Sequence, residues 1–496
     1  MRKFLFVLGV VLIAVLTANA QTTYSSSTSG NWNTSDTWSP NGIPSSSDSV
    51  VINSNHTITV TEDASVKGLK LLGANSGTRL TINDGVTLTI YGSLSGDNPP
   101  SQSLIKTNGS GKVKFVGGSR QLFQTSWGAN PQHWTLEIAL DPGAIGTSAS
   151  SNIKAGTLII SGGILDISGD VRPDSGFGKG KLYIYSGAML KVGGNIRRTS
   201  TSGSKCELVQ IEGILEISGS EISAGNIVVK SGGIFRSKRT NGHTINGLLS
   251  YESGSVLEYA GTSAQTTGGE LTSSVSNLKI NNSAGVTLNS STTVENLIFT
   301  EGKISTGSNT IKVTGSISGA GAGKFVEGNL VFPVSSTGSK KWESGQGSDY
   351  LPLTINFTSL NGSGDVTVSV LDRTTTPPGG PIGDNKVLKR YFRVTQTGIT
   401  SFNADMTLTY TDADVSEQNI TDENSLRVFQ WDGAQWKELT VTSRNTTDNT
   451  ITVTGVTSFS DFVISGTGDA PLPVQVVSVL ASVEGRDVKI AIRTQT

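Results

Sequence analysis

The sequence predicts an all-β chain: a right-handed parallel β-helix followed by an antiparallel β-sandwich. Three observations lead there. First, a unit of two short apolar strands hinged on glycine, seen in Leu158 to Gly169, recurs at Leu80 to Gly92, Leu182 to Gly194, Val209 to Gly219, Ile227 to Ser237 and Leu249 to Gly261. Second, aligning the second strand of each unit puts Leu165, Leu190, Leu215, Phe235 and Leu257 in register at spacings of 25, 25, 20 and 22 residues, the period of a solenoid whose coils stack. Apolar residues alternate with period two, as in Leu182-Tyr183-Ile184, which excludes helical solenoids. Third, the pattern changes near Lys324: short alternating strands follow at Leu353 to Phe357, Val366 to Leu371, Leu388 to Val394, Met406 to Tyr410, Leu426 to Trp431, Thr450 to Val453 and Phe462 to Ser465, the signature of an antiparallel sandwich. Right-handedness rests on the general preference of parallel β connections, and about ten to twelve coils at ~4.8 Å each give a rod on the order of 50 Å.

Taken in order, the chain opens with Met1-Arg2-Lys3, an apolar run from Phe4 to Leu16, and Ala18-Asn19-Ala20. A basic start, a short apolar core and a small-residue end predict a secretory signal peptide over 1–20, cleaved after Ala20. The run is too short for a bilayer span, and no later stretch approaches ~18 apolar residues. The 38 basic and 39 acidic residues nearly cancel, and no basic run occurs, so neither nucleic acid nor an anionic membrane is expected as a partner. Sixty glycines and 16% charged residues describe a turn-rich extracellular chain, glycine being about twice its usual ~7%. Cys206 has no second cysteine to pair with in the chain, so packing and hydrogen bonds must supply stability.

Residues 21–95 form the expected N-terminal cap and first coils. Trp32 and Trp38 precede the first alternating strands and suit an aromatic plug, since an uncapped coil exposes its apolar interior and its strand edge. The order Gly30-Asn31-Trp32, Thr37-Trp38, Gly42-Ile43-Pro44, Asp48 to Ile52, His56 to Val60 resembles the start of the glycine-rich G-eight type domain of secreted bacterial repeat proteins. The resemblance implies a β-rich extracellular module for ligand or matrix contact and implies no catalytic residue. The β-helix proper is assigned to 96–323. Its tight corners need positive φ, which glycine adopts cheaply, and Gly162, Gly187, Gly213, Gly232 and Gly254 are the expected corner residues. Longer loops such as Asp170 to Lys181 and Arg197 to Lys205 lie outside the stack, where binding surfaces are expected.

The sandwich is assigned to 324–468. Pro377 to Pro381 is a loop within it, and Trp431-Asp432-Gly433-Ala434-Gln435-Trp436 a hairpin. Lys389 to Val394, Thr407 to Tyr410 and Trp431 to Gly433 resemble the β-sandwich that follows such repeats in surface proteins of bacteria using the type IX secretion route. Ala470 to Val474 followed by Val483 to Ile490 resembles the opening of a fibronectin-type-III-like domain in those proteins. The family's continuation and its C-terminal sorting domain are missing, so 469–496 is expected to be a truncated start that docks as an extra strand or frays.

Five residues form the candidate catalytic constellation: Asp166, Lys191, Glu216, Arg236 and Glu258. Each falls between the two apolar residues of the second strand, so they form one outward column of alternating sign. Carboxylates and basic residues on such a face build the sites of β-helix lyases and glycosidases; equally, opposite charges on neighbouring coils pair off as a solvated face. Trp127 and Trp134 flank a loop and are the candidate ligand-binding residues, by stacking on sugar rings, with loop anchoring or core packing as the other role. His56, His133 and His243 are far apart and lack metal-ligand spacing. Asp412-Ala413-Asp414 opens like a calcium loop but lacks its glycine and distal glutamate and is expected to be a turn. No metal or cofactor is expected. Together these features predict a secreted or cell-surface, adhesin-like, non-catalytic protein contacting carbohydrate or extracellular matrix, the alternative being a β-helix polysaccharide lyase or glycoside hydrolase.

Overall fold

The computed structural model describes residues 21–496 apart from 73–78, 97–104, 125–133, 150–151, 174–178, 198–204, 374–385, 467–474, 485–486 and 496. The expected signal segment at 1–20, Trp127, His133 and the proline-rich loop at 377–381 therefore lie outside the described residues. The chain divides into two compact units, residues 1–182 with 198–205, and 183–197 with 206–496.

The first unit is a parallel β-solenoid whose successive strands fall on three sheets. One coil runs Ser49–Ile52, Thr57–Val60, Ala64–Val66, and the next repeats it as Gly68–Leu71, Arg79–Ile82, Thr87–Ile90. Each strand lies parallel on its counterpart one coil away, Val50 beside Leu69, Ile58 beside Leu80, Val66 beside Ile90. The period-two alternation points these residues inward, where they are fully buried or nearly so. At the N-terminal end Trp32 and Trp38 are buried, meet edge to face at 5.1 Å, and the Trp38 indole N–H donates to the Trp32 carbonyl at 2.8 Å. Thr23–Ser26 pairs antiparallel with Trp38–Ser39, which occupies the edge that a bare first coil would expose.

The second unit begins with the same parallel pattern and then changes it. Leu190, Leu215, Phe235 and Leu257 stack in the expected register, and Leu278 and Leu297 extend the row. The change occurs in Val326–Val334. One of its sides pairs parallel with Ile304–Val313; the other pairs antiparallel with Gly364–Asp372. From there Val387–Thr397, Asp461–Ser465, Arg427–Trp431 and Trp436–Glu438 extend the sheet with antiparallel pairing. A second antiparallel sheet runs Gly338–Trp342, Leu353–Asn361, Ser401–Thr409, Thr450–Val456, Thr440–Asn445. The two sheets share an apolar interior, marked by buried Trp342, whose indole N–H donates to the Val366 carbonyl at 3.2 Å. The expected hairpin forms, with Trp431 opposite Trp436.

Three local expectations are corrected. Of the proposed corner glycines, Gly187, Gly232 and Gly254 have positive φ, but Gly162 and Gly213 do not. The left-handed corner near Gly162 is Gly163, at φ +64°. Gly162 is needed for a different reason: a Cβ there would sit 2.6 Å from the Leu140 carbonyl oxygen of the preceding coil. Asp412–Glu417 is a six-residue helix rather than a turn, because the Thr411 hydroxyl accepts the Asp414 N–H at 3.0 Å and starts it. Gln475–Glu484 and Asp487–Gln495 pair with each other as a two-stranded sheet and add no strand to either sandwich sheet. Neighbouring strands meet at little loop-closure cost, which favours this local pairing.

Candidate functional site

From Lys191 onward the charge column is present as a register, and it is closed to solvent at Glu258. Lys191 lies beside Glu216, Glu216 beside Arg236, and Arg236 beside Glu258; the structure adds Lys279 beside Glu258. Arg236 reaches both carboxylates, Nη1 to Glu216 at 3.2 Å and Nε to Glu258 at 2.7 Å. Lys279 closes on Glu258 from the other side at 3.2 Å, and Asn281 Nδ2 donates to it at 2.9 Å. Glu258 thus points outward by strand alternation yet is 1% exposed. Burial works against its charge, but hydrogen bonds from Arg236 and Asn281 and the charges of Arg236 and Lys279 outweigh it and hold the carboxyl below its ordinary range. Burial likewise opposes the Arg236 charge, and its two carboxylate partners override that. Asp166 sits in the first unit, where its strand neighbour is Thr147.

A second carboxylate in the first unit is engaged in the same way. Glu137 takes Lys112 at 2.6 Å, Lys114 at 3.2 Å and the Ser161 hydroxyl at 2.7 Å. Trp134 is 3% exposed with its indole N–H on the Lys154 carbonyl at 3.2 Å, so its ring is packed and presents no open face. His56 contacts the Ser26 hydroxyl at 2.8 Å. Among the described residues, no group of three or more His, Cys, Asp or Glu is placed to hold a metal ion.

Sequence reasoning missed a buried polar network. Ser237 follows Phe235 on the inward side of Ile234–Ser237, and its Oγ lies 2.8 Å from His243 Nε2. His243 Nδ1 lies 2.8 Å from the Gly219 carbonyl. A carbonyl only accepts, so Nδ1 carries the proton and the Ser237 O–H donates to Nε2. Burial holds the imidazole below its ordinary pKa despite the nearby Glu270 charge. Glu270 accepts from the His243 backbone N–H at 2.7 Å, the Tyr259 hydroxyl at 2.7 Å and the Gly268 backbone N–H at 2.9 Å. A hydroxyl on an imidazole is the arrangement of an activated nucleophile, but Ser237 and Glu270 are 0% and His243 2% exposed. Sealed in the interior, the network satisfies buried polar groups and ties residues 219, 237, 243 and 270 together.

One open feature of the second unit is a groove of about 280 Å³ beside the strand where pairing changes sense. Its outward row runs Thr293, Lys312, Val331, Thr367 across four adjacent strands, with Thr310 and Thr397 also lining it. Lys312 Nζ meets Asp365 at 2.7 Å, both half-exposed, so the groove's charges cancel locally. The hydroxyls of Thr293, Thr310, Thr367 and Thr397 make no hydrogen bond among the described residues, which leaves them for water or a polar ligand.

No family model, no curated protein and no solved structure matches the chain. Among the described residues no helix is long and apolar enough to cross a membrane.

Proposed function

We propose that the chain is an exported, adhesin-like structural protein that contacts carbohydrate of an extracellular matrix or cell surface without turning it over. Export rests on the signal-like segment at 1–20, and the surface-protein assignment on the resemblance of the N-terminal and sandwich motifs to bacterial proteins of the type IX route. The observation that carries the non-catalytic reading is the engaged state of the charge column: Arg236 bridges Glu216 and Glu258, and Lys279 and Asn281 complete the cover over Glu258. A general acid and base need carboxylates that reach a substrate, and Glu258 has no exposed face to offer. The open groove offers neutral hydroxyls around a self-paired Lys312 and Asp365 instead, a surface suited to polyhydroxylated ligands.

The test is a polysaccharide panel applied to the full chain, with binding and product formation measured together. Binding without product, unchanged in Glu216→Gln and weakened in Lys312→Ala, is the expected result. Turnover abolished by Glu216→Gln would assign the chain to the lyases or hydrolases, and an absence of any glycan binding would leave a purely structural stalk.

A further inference from the structure

We infer that the end of the sandwich carries a second recess built for a neutral pyranose unit; the inference deepens the proposed carbohydrate-contacting function and rests on it. The turn joining Val387–Thr397 to Ser401–Thr409 and the segment Thr457 to Phe459 ahead of Asp461–Ser465 enclose about 330 Å³. That is the small end of the ~300–1,000 Å³ range in which proteins hold organic ligands.

The floor is aromatic. Phe459 and Phe402 stack with centroids 4.3 Å apart and planes 28° apart, and Phe357 meets them edge-on at 6.2 and 5.8 Å. Phe357 and Phe402 are buried while Phe459 is only partly so. Phe402 stacks on Phe459, and both rings line the recess. A ring braced by a stacked neighbour loses little rotamer freedom when a ligand settles on it, so the contact keeps more of its free energy.

The rim is made of uncharged hydroxyls. Those of Thr395, Thr400, Ser401 and Thr457 make no hydrogen bond among the described residues. Gln396 is occupied in shaping the turn: its Nε2 donates to the Ile399 carbonyl at 3.2 Å and its Oε1 accepts the Ile399 N–H at 3.0 Å. Among the described residues no charged side chain lines the recess, so an ionic ligand finds no countercharge there to offset its desolvation. A neutral hexopyranose matches both surfaces, with a C–H face for the ring and O–H edges for the rim.

The experiment titrates the full chain with dextran, mannan and a soluble β-1,3-glucan, using alginate and polygalacturonate as anionic comparators. At least one neutral polymer should bind. That binding should fall at least tenfold in Phe459→Ala, persist in Phe459→Trp, and weaken several-fold in Thr457→Val, a solvent-side change that leaves the aromatic stack in place and decides the matter if Phe459→Ala does not fold. Neutral-glycan binding that survives Phe459→Ala and Thr457→Val but is lost in Lys312→Ala overturns this inference and leaves the proposed function standing. Binding confined to the anionic polymers overturns it too, and no binding to any polymer removes both.

Discussion

Replacing Glu258 by glutamine separates a buried structural ion cluster from a solvated charged face. Gln keeps the shape and one acceptor for Asn281, but leaves Arg236 and Lys279 facing a neutral amide across 2.7 and 3.2 Å. Removing one partner from a buried pair costs roughly 3–5 kcal/mol, against ~0–1 for an exposed one. The carboxylate is 1% exposed, but the Arg236 and Lys279 side chains are 23% and 31% exposed and partly rehydrate. The expected loss therefore falls below the full buried value, at about 2–3 kcal/mol. Urea denaturation at pH 7, followed by circular dichroism, measures it in the transition of the second unit. The sign of the pH dependence is fixed as well. The folded pKa lies below the ordinary 4.5, so the carboxylate's contribution is complete above the unfolded value and is lost as pH falls through the folded one. Wild type and Glu258→Gln should therefore differ by a constant amount at neutral pH and converge in acid. A difference under about 0.5 kcal/mol at pH 7, the size of an exposed pair, would refute the buried-cluster account.

Three further outcomes are expected. His243 is held below 6.5 by burial, so the unfolded chain takes up a proton that the fold refuses; stability should decline as pH drops from about 6.5 toward the folded value and level off beneath it, and His243→Gln should flatten that slope in urea midpoints taken from pH 7.5 to 5.0. Burial raises the Asp414 pKa, and its Oδ2 has no hydrogen-bond partner, so Asp414→Asn should raise the melting temperature at pH 7, with the gain shrinking on acidification as the native acid protonates. Gly163→Ala should cost about 2–4 kcal/mol, combining left-handed strain with overpacking, because its Cβ would lie 2.7 Å from Leu140 Cβ. Gly187→Ala, with φ +80° but open space around it, should cost only about 1–2 kcal/mol. Equal losses at the two positions in thermal melts would show that packing plays no part at Gly163.

The coil register was legible because inward positions must be apolar on every turn, and a one-residue slip would expose the whole set. The same alternation located the column containing Glu216, Arg236 and Glu258. It did not reveal that Glu258 is buried, since an outward strand position says nothing of the side chains that fold over it from the next coils; Lys279 and Asn281 lie 21 and 23 residues further on. The network of Ser237, His243 and Glu270 was hidden for a similar reason. A serine on the inward side looks like a small filler, and its partners arrive from loops with no periodic signal. The helix at Asp412–Glu417 is shorter than any periodicity can register, although the Thr411 cap was available as a clue. The two open recesses depend on hydroxyls gathered from segments tens of residues apart, where serine and threonine are too common to stand out.

The strand Val326–Val334 also decides how this chain answers to force. Where two domains are joined by a linker, tension straightens the linker first and each body yields alone. Here the last parallel coils and the antiparallel sheet share one strand and grip it from both sides with backbone hydrogen bonds, so tension passes through loaded ladders instead of a hinge. Separating coil from sandwich therefore requires opening one of those two ladders, because the same strand closes the last coils and begins the antiparallel sheet.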